Sequence, residues 1–113
     1  MKNLILLFSV TIMMAACTTN AVTGRKQLSL IPEEQLQADA VQQYQSFLSQ
    51  SKVVSSSNNR DAEMVRRVGS RIANAITQYY SKQGKADVLT GYKWEFNLVD
   101  NKEVNAWCMP GGK

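Results

Sequence analysis

The sequence predicts an α+β fold, two amphipathic helices followed by a β-hairpin. Three observations carry that expectation. Apolar residues recur at helical spacing over residues 32–50 and 60–83. They then alternate with polar residues from Tyr92 to Leu98. A second apolar run, residues 104–109, stops at Pro110-Gly111-Gly112.

In the first helical stretch Pro32 suits the opening position, and Glu33 and Glu34 suit the helix dipole. Leu36, Ala40, Tyr44, Phe47 and Leu48 make one stripe on a Gln-rich background, so a single face should be buried. SKVVSSSNN, residues 51–59, reads as a Ser-rich connector. The second helix opens near Asn59 with Asp61 and Glu63 in its first turn, and Gly84 fits its stop. Its buried stripe is expected to be Val65, Val68, Ile72, Ile76 and Tyr79. Gly69 interrupts it at a cost of about 1 kcal/mol against Ala; a neighbouring helix in close approach would account for it, and so would accident. Residues 92–99 read as a half-buried strand with Trp94, Phe96 and Leu98 inward, Asp100-Asn101 as a turn, and residues 104–109 (VNAWCM) as the return strand.

The chain has 113 residues, 13 Lys plus Arg against 9 Asp plus Glu, and no histidine. Its net charge of +4 is spread along the chain. Arg66, Arg67 and Arg71 read as a solvated helix face, so no nucleic-acid partner is expected. The missing histidines exclude a His-dependent triad, a histidine general base and the usual zinc sites within these residues. No catalytic residue and no metal ligand is therefore assigned. The two cysteines, Cys17 and Cys108, make no disulfide framework, and Cys108 is expected to be a buried structural thiol rather than a reactive one.

The N-terminus has the three-part form of an export signal: Lys2, the apolar run LILLFSVTIMM at residues 4–14, then Ala15-Ala16. The run is well short of the roughly 20 residues that span a bilayer. Met14-Ala15-Ala16-Cys17 resembles the bacterial lipobox, with Met14 where Leu is commoner. That resemblance implies cleavage between Ala16 and Cys17, acylation of Cys17, and a membrane-lipid anchor on a protein of the cell envelope. Residues 1–16 are then the signal and 17–28 a polar tether. By analogy with enteric sorting, Thr18 rather than Asp after the cysteine implies the periplasmic face of the outer membrane.

Two further segments carry a family resemblance: Asn20-Ala21-Val22-Thr23-Gly24-Arg25-Lys26-Gln27-Leu28, and Val104-Asn105-Ala106-Trp107-Cys108-Met109-Pro110-Gly111-Gly112 behind the Trp94 strand. In this order, after a lipoprotein signal, they resemble the N-terminal part of bacterial envelope zinc metallopeptidases similar to the HtpX heat-shock protease and the CAAX prenyl protease. The resemblance implies that residues 29–113 are the first portion of a zincin-like domain. It also implies protein or peptide substrates, zinc as cofactor of the full-length form, and work in proteolytic quality control. The family's H-E-x-x-H motif, in which two histidines hold zinc and the glutamate activates its water, is not among these residues. The chain alone is accordingly expected to be inert.

Asn105, Ala106 and Trp107 are the candidate substrate-aligning strand, by backbone pairing beside an active site. The favoured plainer reading has Asn105 capping a turn, Trp107 in the core and Pro-Gly-Gly ending a strand. The competing class of function is a non-enzymatic envelope lipoprotein, a small binding module.

Overall fold

The computed structural model describes residues 17–113, so the expected signal, Ala16 included, lies outside the described residues. The chain divides into two units, Met1–Pro32 and Glu33–Lys113.

Within the first unit, residues 17–28 form a small hairpin where a plain tether was expected. Strand β1 (Cys17–Thr19) pairs antiparallel with β2 (Lys26–Leu28), Cys17 opposite Leu28 and Thr19 opposite Lys26. The connecting loop is fixed by Asn20. Its Oδ1 accepts from the Val22 and Thr23 amides at 3.0 and 2.9 Å, and its carbonyl accepts from the Gly24 amide at 2.9 Å. Gly24 takes φ 69°, a left-handed conformation that glycine adopts without a Cβ penalty.

The second unit begins with α1 (Glu33–Ser49). Its inward residues are the expected ones: Ala40 and Tyr44 are buried, while Leu36, Phe47 and Leu48 are half-buried. Helix α2 (Arg60–Lys82) starts where Asn59 Oδ1 accepts from the Asp61 and Ala62 amides at 2.9 and 3.0 Å. It stops at Gly84, whose φ is 67°. A 3-10 turn (Ala86–Leu89) follows.

The expected hairpin of residues 92–99 with 104–109 does not form. Only Leu98–Val99 is a strand, β4, and its partner is β3 (Val53–Val54) from the Ser-rich connector. The Asp100 amide donating to the Lys52 carbonyl at 2.9 Å lengthens this ladder by one rung. Two β-branched residues in the connector compete well for the edge. Meanwhile Asn101 Oδ1 accepts from the Glu103 amide at 3.1 Å and turns the chain away, leaving residues 104–108 exposed and without strand structure.

Residues 92–97 are extended, and their alternation is as expected, with Trp94 and Phe96 half-buried and Lys93, Glu95 and Asn97 exposed. Both helices meet this segment. Phe96 lies over Gly69 of α2, where a Cβ would come within 2.7 Å of its Cε1 atom. Asn97 Nδ2 donates to the Tyr44 hydroxyl of α1 at 2.8 Å. The close neighbour of Gly69 is thus a ring, not a helix.

The buried face of α2 also departs from expectation. Ala62, Gly69 and Ala73 are its buried residues. Val65 and Ile76 are half-buried, but Val68 (47 %), Ile72 (54 %) and Tyr79 (51 %) are exposed, together with Met64 (43 %). The helix turns its small residues inward because the Phe96 ring must sit directly on its backbone.

Candidate functional site

The segment with the most built geometry is the end of the chain. Gly111 and Gly112 are both buried, with φ of 75° and 84°. Their carbonyls accept from the Lys93 and Glu95 amides, each at 2.9 Å. Amides two residues apart lie on one edge of an extended chain, so the diglycine works as a clasp along that edge. A Cβ on Gly112 would stand 3.0 Å from Cε3 of Trp94, so only glycine seats there without strain. Lys113 completes the clasp: its Nζ donates to the Lys93 carbonyl and lies 3.7 Å from Glu95 Oε2.

Asn105, Ala106 and Trp107 are exposed and outside any sheet. Asn105 Oδ1 accepts from the Ala106 amide at 2.8 Å, a local turn contact. Trp107 is not a core residue: it is 44 % exposed, its ring edge-on to Phe47 and Tyr44 with centroids 4.9 and 6.0 Å apart. The structure therefore does not assemble these three as a strand. Cys108 is an exposed free thiol, against the expectation of burial, because the segment carrying it never joins the sheet.

Between α2 and the extended segment lies a groove of about 400 Å³, lined by Arg66, Ser70, Asn74, Trp94, Glu95 and Asn97 among others. The Asn97 of its lining makes the bond to Tyr44, and the same amide nitrogen also donates to Glu95 Oε1 at 3.0 Å. Burial raises the Tyr44 phenol above its ordinary value; the Asn97 bond works the other way and Glu95 adds to the rise. Tyr92 is raised too, by burial and then by Glu33. This polar link was not legible in the sequence, since Asn97 occupies an ordinary outward position of the alternation.

Among the described residues no three His, Cys, Asp or Glu side chains converge into a metal-binding group. No helix of the described residues is long and apolar enough to cross a membrane. Comparisons with family models, with curated proteins and with solved structures return no match for this chain.

Proposed function

We propose that these residues are the anchored front portion of a zinc metalloendopeptidase of the cell envelope, engaged in proteolytic quality control. The observation that supports this reading best is the clasp. The Pro-Gly-Gly pattern behind the resemblance is a built element here, with two buried left-handed glycines holding residues 93–95. The outward stripe of α2 supports it as well. Met64, Val68, Ile72 and Tyr79 are each about half exposed and would contribute roughly 1 kcal/mol more apiece if covered, which suits a helix belonging to a larger zincin-like domain.

In this reading acylated Cys17 holds the protein to the membrane, at the periplasmic face of the outer membrane. The zinc-binding histidines and the glutamate lie in another part of the parent enzyme, which attacks peptide bonds with metal-bound water. Residues 33–113 contribute supporting helices and the extended segment.

The coding frame beyond codon 113 is the first test. A frame running into H-E-x-x-H supports the peptidase, and a continuing frame without that motif overturns it. For the chain by itself the expected outcome is no zinc uptake and no casein cleavage; stoichiometric zinc binding would overturn the assignment of the metal to other residues. Incorporation of labelled palmitate into the parent, and none into Cys17→Ser, is expected for the anchor.

A further inference from the structure

We propose that the hairpin of residues 17–28 is a second membrane contact, with Leu28, Leu30 and Ile31 on the bilayer surface and Arg25 and Lys26 at anionic headgroups. This rests on the reading that Cys17 is acylated. The register supplies the geometry. Leu28 is the cross-strand partner of Cys17, so it stands roughly 5 Å from the backbone of the residue that would carry the lipid. A residue paired with the anchor cannot stand far from the lipid surface.

The composition of the hairpin and of the residues just after it fits the placement. Leu28, Leu30 and Ile31 are 62, 78 and 50 % exposed, in consecutive or alternate positions. Residues 17–32 contain no Asp or Glu, and their charges are Arg25 and Lys26 alone, so the unit has one sign of charge beside its apolar residues. Apolar side chains flanked by cations are what an interfacial segment offers to lipid: burial of the one, attraction of the other to anionic headgroups. A second copy of the hairpin would set the same cations against each other. Acyl chains already hold the protein, so the contact would serve orientation: it fixes how residue 32 leaves the membrane rather than leaving the protein on a free tether.

The opposite end of the hairpin provides the control. Val22, also exposed, lies in the loop beyond Asn20, about 10 Å from the anchored end by strand rise. The full lipidated chain carrying Cys108→Ser would be given one thiol, by Ser29→Cys or by Val22→Cys, and a fluorophore on it. Each protein is then reconstituted into phosphatidylcholine–phosphatidylglycerol vesicles containing nitroxide-labelled lipid. Quenching several-fold stronger at position 29 than at 22 is expected, and it weakens at 29, while staying above that at 22, when Arg25→Glu and Lys26→Glu are added. Equal quenching at the two positions, or quenching at 29 that the charge reversal leaves unchanged, overturns the proposal. Mass measurement of the residue-17 peptide from the same preparations reports the acylation separately, so a missing anchor and a hairpin that stands clear of the bilayer give different results.

Discussion

Tyr44 is the residue through which α1 is tied to the extended segment. It is 5 % exposed and its hydroxyl accepts from Asn97 Nδ2 at 2.8 Å. Tyr44→Phe keeps the ring against Trp107 and removes only that bond, so a loss of about 0.5–1.5 kcal/mol in urea unfolding is expected. The same residue predicts an alkaline limit. Its phenol, like that of Tyr92, is raised above 10.0 by burial. The folded state therefore holds these protons more tightly than the unfolded chain. Their contribution is complete below pH 10.0 and is lost as pH rises through the folded values. Unfolding midpoints should fall above that pH, and by less in Tyr44→Phe. Equal losses in parent and variant would remove Tyr44 from the account. At the clasp, Gly112→Ala places a Cβ at φ 84° and 3.0 Å from Trp94. A cost of about 1–2 kcal/mol is expected from the backbone conformation alone, with a change in tryptophan fluorescence.

At the scale of elements, the helices were legible because their signals are local. Asn59 as cap, Asp61 and Glu63 in the first turn and Gly84 as stop require no knowledge of the rest of the chain, and Asn59→Ala should cost about 1 kcal/mol. The alternation of residues 92–98 likewise reported which side chains turn inward. What it could not report was the partner strand, because alternation describes one strand and pairing is decided by competition among edges. The Val53-Val54 pair, hidden in a serine-rich stretch, and the two glycine carbonyls took the positions expected for residues 104–109. The α2 stripe was misassigned for a related reason. The heavier apolar residues set the apparent inward face, whereas the ring of Phe96 requires the face carrying Gly69. Gly69→Ala tests this directly. Helix propensity favours Ala by about 1 kcal/mol, yet the Cβ would meet the Phe96 ring, and overpacking typically costs about 1–3 kcal/mol. Net destabilisation is expected, relieved when Phe96→Leu is added. The candidate site was less legible still: the Pro-Gly-Gly pattern marked the clasp, but nothing local marked Asn97.

For the second unit as a whole, the balance between covered and uncovered apolar surface decides its behaviour. The buried apolar residues are Ala40, Tyr44, Ala62 and Ala73, three of them alanines, while Met64, Val68, Ile72 and Tyr79 stand in solvent along α2. Burial of an alanine contributes far less than burial of a larger side chain, so the stabilising surface is small for this chain length. Folded protein should accordingly bind an apolar dye such as anilinonaphthalene sulfonate. Replacing Met64, Val68 and Ile72 together by Gln separates the two faces of α2. If the stripe is an outward surface, dye fluorescence falls sharply while the far-ultraviolet helix signal and the thermal midpoint hold. If the stripe belongs to the core, three large-to-polar changes would cost several kcal/mol, and each kcal/mol shifts the midpoint of a domain this size by about 4–8 °C. A midpoint lowered by ten degrees or more would therefore sink the outward assignment. It would also withdraw the support that this surface lends to a larger parent domain.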